Sequence, residues 1–144
     1  MARRVGGVGG TLVLDSEGVV KAAAGEARVR AYLQTALRRR ARVVVSAVTL
    51  TEVLRGTPRD AAVHRVLGAA SIVPVTPDLA RHAGELLGAT GLGGHRCAID
   101  ALVAATALAQ SRPVVLLTSD PDDLHRLVEE PGEPKERRVV VVRV

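Results

Sequence analysis

The chain has 144 residues, 47% of them hydrophobic, and a net charge of +5, which fits one ordinary globular domain and excludes a disordered tail protein. Phe and Trp are absent and Tyr occurs once, so we do not expect single-stranded RNA to bind by stacking on aromatic side chains. The single cysteine, Cys97, allows no internal disulfide and indicates a cytoplasmic protein. No stretch of about 18 residues is free of charge, which predicts no membrane span.

Short apolar runs alternate along the chain with segments of helical periodicity. In chain order, the predicted elements are a strand over residues 11–14, a helix over 26–39, a strand over 43–48, a helix over 59–67, a strand over 72–75, a helix over 79–87, a mostly apolar helix over 98–109, and strands over 114–117 and 139–142. This alternation predicts an α/β fold, an α/β/α sandwich with a central parallel sheet. We expect a single domain over residues 1–144, with the Gly-rich residues 1–10 as a flexible leader.

Four carboxylates stand at the ends of predicted strands or at the starts of helices. Asp15 ends the first strand, Glu52 lies in the first turn of a helix after the second, Asp100 lies in the first turn of the apolar helix, and Asp120 follows the 114–118 strand. Because ligands of open parallel sheets bind outside the carboxyl ends of the strands, we expect these acids to meet at one edge. Clustered carboxylates repel each other and need a counter-charge. Mg²⁺ or Mn²⁺ would supply it and would activate water for phosphoryl chemistry.

Each acid also has a purely structural explanation. Thr49 and Glu52 have the spacing of a capping box, Asp120 precedes a proline as a helix N-cap would, and Asp100 could complement a helix dipole. Taken singly, Glu52 and Asp120 are better explained as caps. The metal-site hypothesis depends on all four acids together.

The sequence around these acids resembles the four motifs of PIN domains. The matching segments are LVLDS at 12–16, TEVLR at 51–55, AIDALVAATA at 98–107 and LLTSDPDDL at 116–124. The similarity is greatest to the compact bacterial members that act as VapC-type toxins. It implies an α/β/α sandwich with Mg²⁺- or Mn²⁺-dependent ribonuclease activity on RNA, a homodimer, and a small antitoxin as partner.

Individual roles follow by position in those motifs. The resemblance implies that Asp15, Glu52, Asp100 and Asp120 are catalytic, and that Asp15, Asp100 and Asp120 hold the metal. The implied accessory residues are Ser16, Thr118, Ser119 and Asp123. Whether Asp122 or Asp123 faces the site is left open.

Three basic residues are candidates for contacts to RNA phosphates. Arg55 lies one turn beyond Glu52, and His95 and Arg96 follow a Gly-rich loop just before Asp100. Ordinary solvation of this loop is the simpler explanation for His95 and Arg96.

Two other functions compete with the ribonuclease hypothesis. A catalytically inactive PIN-like scaffold would use its acids as helix caps and act by binding proteins. A phosphoaspartyl phosphatase would use Asp15 and Glu17, but it needs a second aspartate and a suitably placed lysine, and Lys occurs only twice here.

Overall fold

The computed structural model describes residues 9–144, and its centre is a five-stranded parallel sheet. The strands are β1 (Thr11–Leu14), β2 (Arg42–Ser46), β3 (Ser71–Val73), β4 (Val114–Thr118) and β5 (Val140–Arg143). Their order is β3-β2-β1-β4-β5, so the chain steps outward from β1 in one direction and later returns to its other side. The reversal lies between β1 and β4, which is where open α/β sheets bind ligands.

The register makes the central strands end at nearly the same level. Leu14 pairs with Val45 of β2 and with Leu117 of β4. The residues that follow β1, β2 and β4 therefore share one edge of the sheet, as we expected for the acids.

Helices cover both faces of the sheet. Within residues 9–144 the α-helices are α1 (Ser16–Ala23), α2 (Ala27–Arg38), α3 (Leu50–Val53), α4 (Ala61–Gly68), α5 (Pro77–Thr90), α6 (Gly94–Leu108) and α7 (Pro121–Leu127). Short 3₁₀ helices occupy Ala47–Thr49, Pro58–Asp60 and Lys135–Arg137. The predicted α/β/α sandwich is confirmed.

The two faces of the sheet form separate apolar clusters. Val13, Val44 and Leu116 pack with α5, α6 and α7, whereas Leu14 and Leu117 pack with α1, α2 and α4. Side chains that alternate along a strand thus enter a core on both sides, which explains why the strands are continuous apolar runs.

α6 is the most deeply buried helix and differs from its prediction at its start. It begins at Gly94 rather than at residue 98, because Gly93 acts as the N-cap and Gly94 continues into helix. Asp100 consequently lies in the second turn, and its expected place in the first turn is wrong. A dipole role for Asp100 is weakened for the same reason, since the helix field falls off within the first turn.

Other boundaries also differ from the sequence prediction. β2 ends at Ser46, where the chain turns into a 3₁₀ helix, and α5 extends over Pro77–Thr90. The predicted leader lies outside the described residues except for Gly9 and Gly10. These two are joined to the sheet region by hydrogen bonds from the Gly9 N–H to the Arg39 carbonyl and from the Arg42 N–H to the Gly10 carbonyl. None of the helices in the described part of the chain has the length and hydropathy needed to cross a membrane.

Candidate active site

Asp15 follows β1 directly and is fixed by two neighbours. One carboxylate oxygen accepts a 2.9 Å hydrogen bond from the Gly18 N–H, which caps α1, and the Thr118 side chain provides a second hydrogen bond. Burial nevertheless raises the pKa of Asp15 above its usual range. A carboxyl group that keeps a raised pKa despite two such bonds is strongly desolvated.

Asp100 projects from α6 toward other acids. Burial is the largest cause of its raised pKa, and the carboxylates of Asp123, Asp15 and Asp120 raise this pKa further. Every charged group that contributes to the shift is negative. Asp100 is therefore the point at which the acids from β1, β4 and α7 meet.

Glu52 joins this group from α3. Its pKa is raised by burial and then by the carboxylates of Asp15 and Asp100, while a hydrogen bond from Ser16 lowers it. Glu17 also contributes to the raised pKa of Glu52 and of Asp15. Glu17, which the sequence pattern associates only with the phosphatase alternative, thus lies near the acidic group from the first turn of α1.

Thr118 links Asp15 to Asp120. Its hydroxyl is buried, hydrogen-bonds Asp15, and accepts a 3.1 Å hydrogen bond from the Asp120 N–H. Ser119, the other expected accessory residue of this strand end, offers its backbone carbonyl to Arg143 at 3.0 Å.

Asp123, rather than Asp122, lies next to the other acids. The Cys97 thiol donates to an Asp123 carboxylate oxygen at 3.8 Å, and Asp123 raises the pKa of Asp100, whereas Asp122 is exposed. Burial, with Asp123 and Asp100, also raises the pKa of Cys97. A buried thiol with a raised pKa is a poor nucleophile, which fits its interpretation as a small core residue.

The capping explanation fails for the two acids it suited best. Neither Thr49, at the start of α3, nor Asp120, at the start of α7, makes a side-chain capping hydrogen bond. The Thr49 hydroxyl is buried without a partner, so the capping box with Glu52 is not formed. Of the four acids of the expected site, Asp15 is the one whose side chain caps a helix.

The basic candidates lie apart from the acidic group or at its margin. The Arg55 guanidinium turns back to its own helix end and donates to the carbonyls of Thr51 and Leu54 at 3.1 and 2.8 Å. His95 and Arg96 are exposed in the first turn of α6. Their contacts with RNA stay predictions.

The donor set and charge of the site fit a hard divalent cation. Asp15 and Asp100 are half-buried and Glu52 is exposed, and the principal causes of the raised pKa values of these three acids include neighbouring carboxylates but no cationic side chain. Within residues 9–144, no three His, Cys, Asp or Glu side chains are arranged to hold an ion directly. Mg²⁺ suits such a site because it needs only one or two carboxylates and keeps several waters.

Comparison with known proteins assigns the chain to a family. The family model described as PIN domain matches residues 12–130, and the chain belongs to this family. Two solved structures are similar in fold. VapBC2 from Rickettsia felis, bound to a DNA fragment from its promoter, gives a TM-score of 0.66 at 16% identity, covering 92% of this chain and 98% of that chain.

The second similar structure is a toxin-antitoxin complex from Klebsiella pneumoniae. It gives a TM-score of 0.62 at 20% identity and covers 92% of this chain and 99% of that chain. No curated protein matches the sequence. The described helices and strands thus form a PIN fold over nearly the whole chain.

Proposed function

We propose that this protein is a metal-dependent endoribonuclease that acts in the cytoplasm as the toxin of a toxin-antitoxin pair. The observation that carries the proposal is the meeting of Asp15, Glu52 and Asp100 at the β1–β4 switch point, where burial raises the pKa of all three and the Asp15 carboxylate raises the pKa of Glu52 and Asp100 further. Perturbed carboxylates gathered at such a crevice are typical of catalytic sites.

Each residue has a proposed role in RNA hydrolysis. Asp15, Asp100 and Asp120 would hold Mg²⁺ or Mn²⁺, directly or through water, and the bound ion would lower the pKa of a water and offset phosphate charge. Glu52 would orient the attacking water, and Asp123 would act as an outer acid.

Two hydroxyls keep these acids in place. Thr118 orients Asp15 and the backbone of Asp120, and Ser16 hydrogen-bonds Glu52. We propose that Arg55, His95, Arg96 and Ser119, which follows β4, lie at the edge of the surface that binds RNA.

Loss of cleavage on metal removal tests this proposal. The purified protein should cleave single-stranded RNA with Mg²⁺ or Mn²⁺ and stop when a chelator is added. Asp100→Asn keeps the side-chain shape and should lower the cleavage rate at least about a hundredfold, the scale of a lost general-base or metal contact. Asp78→Asn, which changes an exposed acid of α5 paired with Arg81, should cleave at the wild-type rate. Cleavage that persists in chelator would refute the metal mechanism.

A catalytically inactive scaffold is the alternative. The lack of three converging ligands within residues 9–144 favours it. A protein that binds its partner but never cleaves RNA with either metal would support this alternative.

An apolar groove supports the proposal of an antitoxin partner. It lies between α2, α4 and the starts of β2 and β3, has a volume of about 420 Å³, and is lined by Leu33, Leu37, Val43 and Val66. Leu37 is 80% exposed, which is unusual for a large apolar side chain beside other apolar ones. Arg42 borders the groove, and neither α2 nor α4 contains an acidic residue. We propose that the antitoxin places an amphipathic segment with acidic flanks here.

Changing Leu37 tests this partner surface. Leu37→Glu should weaken capture of a co-expressed antitoxin polypeptide and leave RNA cleavage unchanged, because the groove lies at the amino ends of the strands. Glu136→Ala, which changes an exposed acid in the 3₁₀ helix before β5, is the control. Equal capture by wild type and Leu37→Glu, measured by co-purification, would contradict the assignment.

A homodimer is also part of the proposal. The exposed side of α5 carries Ala80, Gly84 and Gly88 at intervals of four residues, and apart from the adjacent residues and the backbone of α5 itself, no described atom lies within 4 Å of a Cβ placed on either glycine. A second copy could approach this helix closely. Light scattering of the purified protein should give twice the monomer mass, and Gly84→Leu should reduce it.

A further inference from the structure

Arg143 stands at the carboxyl end of β5, on the border of the acidic site. It pairs with Thr118 in the parallel register of β4 and β5, and Thr118 is the hydroxyl that contacts Asp15. One guanidinium nitrogen of Arg143 donates to the Ser119 carbonyl at 3.0 Å. The side chain is thus anchored one residue away from Asp120.

The alternation of β5 places Arg143 on the same face as α6 and α7. Val141, two residues earlier, packs in the cluster that contains Ala104 of α6 and Leu127 of α7, and strand residues two apart point to the same face. α6 and α7 carry Asp100 and Asp123. Arg143 therefore shares the side of the sheet from which these two acids enter the site.

The charge of Arg143 is not neutralised by an acid in the described chain. The ion pairs found within residues 9–144 are Arg81–Asp78, Arg112–Glu130 and Arg137–Glu133. Arg143 is exposed, and it is not among the principal groups that shift the pKa of Asp15, Glu52 or Asp100. A guanidinium has five N–H donors in a planar fork that matches phosphate, and the Ser119 carbonyl occupies one of its nitrogens.

We propose that Arg143 binds a phosphate of the RNA strand adjacent to the phosphate held at the acidic site. The inference rests on the proposed ribonuclease function. Carboxylates repel a polyanion, and a fixed cation one strand away offsets part of that repulsion. The hydrogen bond to Ser119 already restricts the side chain, so less conformational entropy is lost when the phosphate binds.

Binding without metal tests the role of Arg143 separately from catalysis. A fluorescent single-stranded RNA oligonucleotide is titrated with protein in chelator, and Kd is measured by anisotropy between 50 and 200 mM salt. Arg143→Gln keeps an N–H for the Ser119 carbonyl but removes the charge. It should raise Kd about 1.5- to 5-fold, the range of one exposed charge pair, and should reduce the slope of log Kd against log salt by about 0.7, the value for one phosphate contact on a single strand.

Two further variants define the outcome. Arg143→Lys keeps the charge and should retain the wild-type salt slope. Lys135→Gln removes an exposed positive charge in the 3₁₀ helix that precedes β5, on the opposite edge of the sheet, and should leave Kd and slope unchanged. Equal losses in Lys135→Gln and Arg143→Gln, an unchanged slope in Arg143→Gln, or no measurable RNA binding by wild type would each overturn the proposal. Failure of the ribonuclease proposal appears separately, as wild-type protein that binds RNA but does not cleave it with metal.

Discussion

Asp15 performs a structural and a chemical task with one side chain. Its hydrogen bond from the Gly18 N–H closes the first turn of α1, and helix capping by itself favours an ionised carboxylate. The pKa of Asp15 is nevertheless raised, so the effect of burial on this pKa outweighs the effect of the hydrogen bonds. A carboxyl group whose pKa is higher in the folded chain than in the unfolded chain lowers stability at the pH where it ionises, and such groups are typical of functional sites.

Asp60 lies outside the acidic site, and here hydrogen bonds outweigh the effect of burial on the pKa. The backbone N–H groups of Arg55 and Gly56 donate to its carboxylate at 3.0 and 2.8 Å, and these bonds lower the pKa of Asp60. Asp60 is 7% exposed and fixes the turn that leads out of α3, where Gly56 has a φ of 76°. The turn in this way holds the helix that carries Glu52.

Asp60→Asn should lower the melting temperature at pH 7. Because the folded pKa lies below the unfolded one, the ionised carboxylate stabilises the fold above the ordinary carboxyl pKa, and this stabilisation is lost as pH falls through the lowered folded pKa. The difference between wild type and Asp60→Asn should therefore shrink in acid. Melting curves from pH 7 down to pH 3 measure it.

Asp78→Asn is the matched control for this measurement. Its side chain is 96% exposed and pairs with Arg81 on the surface of α5, and exposed pairs contribute little. Its melting temperature should follow wild type at every pH. A difference at Asp60 that does not depend on pH would contradict the assignment to the ionised carboxylate.

At the scale of elements, α6 owes its position to small side chains. Ala101, Ala104, Ala105 and Ala107 are fully buried against the sheet and the neighbouring helices. Small side chains let the helix lie close to β4, and this close packing carries Asp100 to the site.

Ala104→Leu should therefore destabilise the protein by about 1–3 kcal/mol, the cost of overpacking a filled core. Ala98→Leu makes the same change at an exposed position of the same helix and should shift stability by less than about 0.5 kcal/mol. Urea unfolding of the two variants gives the comparison. Equal stabilities would mean that the core around α6 can expand to accept a larger side chain.

The sequence predicts the strands better than the short helices. All five strands fall within two residues of their predicted bounds, because an apolar run buried on both faces is a strong pattern. α1 was missed, since Gly18 and two β-branched valines lower helix propensity. Tertiary packing explains the glycine, because a Cβ at Gly18 would lie 3.2 Å from the Leu14 Cβ.

At the scale of the whole molecule, strand order determines which acids meet. Positions 15, 52, 100 and 120 are far apart in sequence, yet parallel strands that end level bring them to one edge. This grouping was predictable from the alternation of strands and helices. The positions of Glu17 and Arg143 near this group were not predictable from the sequence. They depend on the first turn of α1 and on the register of β5, which no local sequence pattern encodes.

A bound cation should stabilise the whole fold if the acids form a metal site. A ligand that binds only the folded state adds about 2.7 kcal/mol at a hundredfold excess over its Kd. With about 2–4 °C per 1 kcal/mol for a domain of this size, Mn²⁺ should raise the melting temperature of wild type by about 5–10 °C. The measurement is a thermal melt with and without millimolar Mn²⁺.

Variants that neutralise one carboxylate test the direction of the expected changes in melting temperature. Asp15→Asn keeps a capping acceptor for the Gly18 N–H, and Asp100→Asn removes the charge on which Asp123, Asp15 and Asp120 act. Without metal, each should melt at or above the wild-type temperature, because one source of repulsion is gone. With Mn²⁺, each should show a smaller rise than wild type, whereas Asp78→Asn should rise as wild type does. If the acids had only structural roles, both site variants would lose stability and Mn²⁺ would change nothing, so a wild-type midpoint that ignores Mn²⁺ would rule out the metal site.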